Sequence, residues 1–316
     1  MKRNLTYDGA DVRELRTITA LLTGALIVAL TVLLSFSKTH GQMSGQSLEV
    51  SPPSQELIAD PGETVIVKAK VRNRAETPLP ITVRIEDFVA TGEGGQVSLT
   101  EKGPWAVSTW TTVAPVGFTL KPGEVREVEA TVAVPRSGVA GGRYGSFVFS
   151  VSGEGGPGKA ALSQEVASLF LLRVSGPVEE KISIQSFSIP AFLEFGPVPM
   201  TLSFTNTGNV HLKPQGVVTI SNMLGGKVAD VPIDGVNVFP QAKRTVTTNW
   251  NTTYLIGRYS AKALVYTGSS SNELMEATAT FFVFPWRIVI VAALVIAALF
   301  ILRRRIRKAL KALMGK

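Results

Sequence analysis

The 316-residue chain contains no cysteine, which excludes a disulfide framework and thiolate chemistry and leaves burial as the source of stability. Histidine is nearly as scarce. Only His40 and His211 are present, so the chain cannot build a His-based triad or a multi-histidine metal site by itself. No G-x-S-x-G, Walker or zinc-ligand spacing occurs, and the glycine clusters at 92–95 and 153–158 have no helical pattern behind them to cradle a phosphate. Glu86 and Asp87 are neighbours at a strand end, so their side chains leave opposite faces and make a poor acid/base pair. No catalysis, cofactor or metal is expected.

Charge is equally uneven. The net charge is +8, but residues 1–41 carry five basic and three acidic side chains, and residues 303–316 carry seven basic and no acidic ones. The 20 basic and 21 acidic residues between them leave that stretch at −1. A nucleic-acid-binding protein would place its cations on a folded domain, so nucleic acid is not an expected partner. The cations flank membrane-length segments instead.

Two apolar segments, 17–37 and 281–302, bracket about 240 residues that read as β structure. As a helix, 21 uncharged residues span roughly 30 Å at about 1.5 Å each, the thickness of a bilayer's hydrocarbon core. Arg303, Arg304 and Arg305 follow the second segment directly, with Arg307, Lys308 and Lys311 behind them. By the positive-inside rule that tail is cytoplasmic and the β region is extracellular. Lys2, Arg3, Arg13 and Arg16 hold the N-terminus inside as well, whether residues 1–41 form a cleaved signal peptide or a retained anchor; both readings fit. In the second segment, expected as a transmembrane helix over 284–302, the lone charge Arg287 sits beside Phe284 and Trp286, a combination suited to the outer headgroup level. Behind it, Ile306, Leu310, Leu313 and Met314 form an apolar stripe on a basic helix that would lie on the inner leaflet, each cation contributing about 1 kcal/mol.

Between the segments the period is two. VIVKAKV at 65–71, ITVRI at 81–85, VREVEATVAV at 125–134 and YGSFVFSV at 144–151 read as half-buried strands, bounded by turn residues such as Asp60-Pro61-Gly62 and Lys121-Pro122-Gly123. A second set follows at 182–189, 200–206, 216–222, 245–250, 259–266 and 277–283. The expected fold class is all-β: two tandem immunoglobulin-like sandwiches, 46–176 and 177–283, between an N-terminal and a C-terminal hydrophobic helix. The halves read as repeats. Val71-Arg72-Asn73 parallels Phe204-Thr205-Asn206, and Gly142-Arg143-Tyr144 parallels Gly257-Arg258-Tyr259. Each tyrosine is expected to hydrogen-bond nearby backbone, as in a tyrosine corner.

The first half carries an early strand ending in Asn73, then TLKPGE at 119–124, VEATVAVP at 128–135, GVAGGRYGSFVF at 138–149 and EVASLFLLRV at 165–174. In these motifs it resembles the peptidoglycan-binding domain of the WxL-interacting proteins of Gram-positive surfaces. That family also has an export signal, a second immunoglobulin-like domain, a C-terminal membrane helix and a basic tail. The resemblance implies that the first domain contacts peptidoglycan or another wall polymer and that the second presents a surface to another protein.

Candidate ligand-binding residues follow from side-chain type and position. Trp105, after Gly103-Pro104 in the irregular stretch 91–113, could stack on a sugar face, and Arg136 and Arg143 bracket a glycine-rich loop suited to carboxylates or phosphates. Trp110, in the alternating STWTTV, and Trp250, at a strand end, read as core. The sequence thus describes a membrane-anchored extracellular binding or scaffold protein of the cell envelope, not an enzyme. Its alternatives are a tethered chaperone-like assembly factor acting by strand addition, or a spacer in a membrane complex.

Overall fold

Period-two patterning becomes two β-sandwiches followed by one helix in the computed structural model, which describes residues 47–100, 102–152, 163–268 and 273–313. The N-terminal apolar segment 17–37, His40 and the glycine cluster 153–158 lie outside the described residues. The first sandwich comprises β1 (Leu48–Ser51), β2 (Ser54–Ala59), β3 (Thr64–Asn73), β4 (Leu79–Thr91), β5 (Gln96–Thr100), β6 (Thr111–Ala114), β7 (Gly117–Leu120), β8 (Val125–Ala133), β9 (Gly141–Ser152) and β10 (Ser163–Val174). One sheet has the order β1-β3-β8-β6, and the other β2-β10-β9-β4-β5 with β7 beside β4. On β3, Val67, Ala69 and Val71 point inward and are fully buried. Lys68, on the opposite face, meets Glu127 and Glu129 at 3.1 and 2.6 Å. Exposed pairs of this kind are worth about 0–1 kcal/mol, whereas each buried Val or Phe contributes about 1.5–3 kcal/mol, so the apolar face holds the sheets together.

The chain changes sheet at prolines. β1 runs antiparallel to β3, and beyond Pro52 and Pro53 β2 runs parallel to β10 in the opposite sheet. Proline has no N–H for a ladder, so the ladder stops there. Pro115 separates β6 from β7 in the same way.

The second sandwich comprises β11 (Ile182–Ser188), β12 (Phe192–Leu193), β13 (Val198–Asn206), β14 (Gln215–Asn222), β15 (Lys227–Ile233), β16 (Lys243–Trp250), β17 (Gly257–Tyr266) and β18 (Leu274–Val283). Its sheets are β11-β13-β16 and β12-β18-β17-β14-β15. It repeats the opening switch: β11 is antiparallel to β13, and past Pro190 β12 is parallel to β18. The helix α1 (Trp286–Leu313) follows. Its side chains from Ile288 to Ile301 are exposed, and it is long and apolar enough to cross a membrane.

The two asparagines read as repeat markers do the same work in both halves. Asn73 is fully buried; its Nδ2 donates to the carbonyls of Thr77 at 2.8 Å and Leu120 at 3.0 Å, and its Oδ1 accepts from the Ala75 N–H. Asn206 donates to Val210 and Val238, both at 2.8 Å, and accepts from the Gly208 N–H. Leu120 and Val238 therefore correspond, and so do the turns after them. Lys121-Pro122-Gly123-Glu124 and Phe239-Pro240-Gln241-Ala242 each place a positive-φ residue third, Gly123 at +76° and Gln241 at +56°.

Several expectations change. The stretch 91–113, expected to be irregular, contains β5, a 3-10 turn at Ser108–Trp110 and the start of β6. β5 pairs with an extension of β4 through the turn at 92–95, and its QVSLT is too short to show a period. The transmembrane segment and the basic helix expected behind it form one continuous helix to Leu313.

Replacing either asparagine by alanine removes three hydrogen bonds, two donated by its amide to carbonyls and one accepted from a backbone N–H. Asn73→Ala and Asn206→Ala should each lower stability by about 2–4 kcal/mol, measured by urea unfolding followed through tryptophan fluorescence.

Candidate functional site

Two features stand out on this frame: an aromatic seam between the sandwiches and a long strand edge without a ladder partner. The seam forms on the outer face of the first sandwich's larger sheet. Alternation there sends Phe147 and Phe149 inward and leaves Tyr144 of β9, with Phe88 of β4 and Leu171 of β10, facing the second sandwich. Phe239 packs edge-on against both rings, its centroid 5.4 Å from Phe88 and 5.0 Å from Tyr144. Polar contacts surround the rings. The Gly142 N–H donates to the Asn209 carbonyl at 2.8 Å, Asn237 Nδ2 to Glu56 at 3.0 Å, and the Thr245 N–H to the Glu93 carbonyl at 2.7 Å. Arg173 pairs with Glu180 at 2.7 Å. The β4–β5 turn lies so close to Arg244 that a Cβ at Gly95 would fall 0.6 Å from its Nη1, and Gly95 also holds φ +81°. Any side chain there would be strained by that φ and would have to displace the guanidinium.

His211 sits in the seam with Nδ1 3.3 Å from the Tyr144 hydroxyl. Burial lowers its pKa, an effect that Glu56 opposes and that Arg173 and Lys213 reinforce. Burial likewise pushes the Tyr144 hydroxyl far up. The tyrosine-corner expectation therefore divides. Tyr259 donates to the Ile256 carbonyl three residues upstream at 3.2 Å, whereas Tyr144 turns to His211 in the neighbouring sandwich.

The candidate ligand residues do not converge. Trp105 is half-buried at the seam, its carbonyl accepting from the Tyr144 N–H at 2.9 Å. With Phe88, Tyr144 and Phe239 it lines a cavity of about 190 Å³. Arg143 leaves the opposite face of β9. Its guanidinium lies 5.3 Å from the Trp110 ring and donates to the carbonyls of Gly142 and Val139 at 2.7 and 3.1 Å. Desolvation lowers its pKa. Arg136 is exposed, with its stem against Gly62. Trp110 and Trp250 are both partly buried against the cores, as expected.

At the other end of the chain, Arg287 lies 5.4 Å over Trp286 and is clamped to the second sandwich. Its N–H donates to Glu194 at 3.1 Å and its Nε sits 3.3 Å from the same carboxylate. Arg303 lies 4.0 Å over Phe300, and Arg304 and Arg305 continue the helix.

The uncovered edge belongs to β18. β17 covers one side along its full length, whereas β12 covers the other only at Phe282 and Val283. The Phe282 N–H donates outward to the Ala191 carbonyl and the Phe284 N–H to Leu193, so alternation points the backbone groups of Thr280, Thr278 and Glu276 the same way. Among the described residues these outward groups have no ladder partner. The strand lacks the devices that blunt other edges. Its charge, Glu276, is paired with Lys262 at 2.8 Å, and it contains no proline, lysine or register shift. By contrast, β15 carries Lys227, Asp230 and Pro232.

Phe239, His211 and Glu194 were missed from sequence. The signal for Phe239 was present: it occupies the turn position where the first half has the exposed Lys121, and an aromatic there needs a partner surface.

No family model matches the chain, and no curated protein matches it in sequence. Solved structures of similar fold include the class 5 fimbriae chaperone CfaA, at 13% identity and TM-score 0.39 over 74% of this chain and 98% of that chain. The E. coli chaperone DraB shares 13% identity at TM-score 0.34 over 73% and 97%. PapD-like domain 7 of human CEP192 shares 15% at TM-score 0.31 over 46% and 98%. Likeness at this level transfers no function.

Because folding lowers the His211 pKa, the unfolded chain binds its proton more readily. Its contribution to stability is present above about pH 6.5 and is lost as pH falls through the lower folded value. The unfolding midpoint should fall between about pH 7 and pH 5, and His211→Gln should flatten that part of the profile.

Proposed function

We propose that this chain is a membrane-anchored, non-catalytic binding protein of the cell envelope that holds a partner protein by strand addition at the open edge of β18. The observation that carries the reading is the row of outward, unladdered backbone groups at Glu276, Thr278 and Thr280. An added strand would satisfy those groups, while Leu274 and Thr278 offer side chains on the exposed face. α1 supplies the anchor, with the sandwiches outside and the basic segment inside, as the arginines behind Leu302 imply. A helix presenting Ile288 to Ile301 to its surroundings is stable in lipid and a liability in water.

Thr278→Pro tests this cleanly. Its N–H faces away from β17, so proline leaves the internal ladder whole and removes a donor only from the added strand. With a photo-crosslinking residue at Thr280 in producing cells, a discrete protein adduct is expected, reduced at least about tenfold by Thr278→Pro, a loss equivalent to about 1.4 kcal/mol. An adduct unaffected by the proline would sink the strand-addition reading.

The wall-polymer contact implied by the resemblance is supported by Arg136 and Val139, both exposed on the loop between β8 and β9. On that reading the chain co-sediments with insoluble peptidoglycan, and Arg136→Ala weakens sedimentation most at low salt. No sedimentation would remove it.

A further inference from the structure

The two ends of the second sandwich differ sharply in character. Asn209, His211, Asn237 and Phe239 belong to the end engaged by the first sandwich. The opposite end is where β18 hands over to α1. Strand register shows which loops share it. Gly257 pairs with Val283, Leu193 pairs with Val283, and Asn222 pairs with Tyr259, itself opposite Phe281. The β14–β15 turn, the β16–β17 loop and the β12–β13 loop therefore all emerge beside the start of α1.

Among the described residues these loops carry the three most exposed large apolar side chains of the two sandwiches, Tyr254 at 89%, Leu224 at 88% and Met223 at 75%, with Ile256 at 69% beside them. Phe192 and Phe282, stacked at 6.1 Å, continue the patch toward Phe284 and Trp286. Phe195, Tyr254, Ile256, Pro285 and Ile288 enclose an apolar hollow of about 300 Å³ between the β16–β17 loop and the first turn of the helix. Arg258 lies on the row of Phe282, and Arg287 sits at the helix start. Aromatic and aliphatic side chains flanked by Arg258 and Arg287, level with the first turn of a helix of membrane-crossing length, match the headgroup–acyl boundary of a bilayer.

We propose that this end is a lipid-docking face. Leu224, Met223, Tyr254 and Ile256 enter the interface of the leaflet that α1 enters, so the second sandwich is seated on the bilayer at several points instead of hanging from one. The inference rests on α1 spanning the membrane. Continuity decides the occupant: any surface reaching the tips of all three loops also meets the emerging helix, and lipid surrounds that helix on every side.

The absence of cysteine provides the test. Full-length chain carrying Tyr254→Cys, Leu224→Cys, Leu294→Cys or Lys121→Cys is labelled with an environment-sensitive fluorophore and reconstituted into phosphatidylcholine–phosphatidylglycerol vesicles. Nitroxide lipids, quenching at the headgroup or deep in the chains, and aqueous iodide then report depth. All four positions are exposed, so the fold tolerates the labels. Labels at 254 and 224 should be quenched several-fold more by headgroup nitroxide than by deep nitroxide, and shielded from iodide. Position 294 should respond to deep nitroxide, and position 121 to iodide alone. If 294 reports burial while 254 and 224 behave like 121, the docking face is overturned and the anchor stands. If 294 is also reached by iodide, the anchor fails and the docking face with it.

Discussion

Every sheet must dispose of the backbone groups on its outermost strands, and that requirement shapes this molecule more than any single side chain. β1 is four residues long and gives way to proline, and β15 carries charges and a proline. The free side of β16 is met at Thr245 by Glu93 from the first sandwich. The sheet switches at Pro52-Pro53 and Pro190 return the chain to lie beside the last strand of each sandwich, covering half of β10 with β2. On β18 the same device stops after two residues. The repeat is thus faithful in topology and unequal in length, and the shortfall exposes the edge on which the binding proposal stands.

The second sandwich is a connector. One end accepts the first sandwich through Phe239 and His211, and the other holds α1 through Glu194, which receives both the backbone and the guanidinium of Arg287. The open edge runs between these two attachments, eight residues or roughly 26 Å at about 3.3 Å per residue. A partner strand would therefore lie between the seam and the start of the helix. The face it meets is built from threonine, alanine and paired charge, so the backbone would supply the affinity and Leu274 the register.

Much of the fold was legible because its determinants are local. Alternation in VIVKAKV and YGSFVFSV, Pro-Gly turns, and the recurring terminal asparagine revealed strands and duplication, and apolar length marked the helix. β2, β7 and β12 were not legible, because they form where the chain crosses to a sheet whose other strands lie far along the sequence. The seam escaped for a related reason. Whether Tyr144 turns to its own backbone or to His211 depends on which surface the second sandwich covers. Trp105 looked like a glycan platform because a tryptophan after Gly-Pro in a loop is exposed in isolation; docking of Phe239 makes it part of a wall. Arg143 looked available for an anion, and alternation along β9 instead lays it on Trp110.

Residue-resolved amide hydrogen exchange on the full chain in lipid, with and without a co-purified partner, distinguishes an open β18 edge from a covered one. In the isolated chain exchange should alternate along β18: Glu276, Thr278 and Thr280 exchange quickly while Ala277 and Ala279 are protected by β17, and partner binding slows the first set alone. Uniform protection of all five amides in the isolated, monomeric chain would mean that the edge is already covered and that strand addition has no place to act.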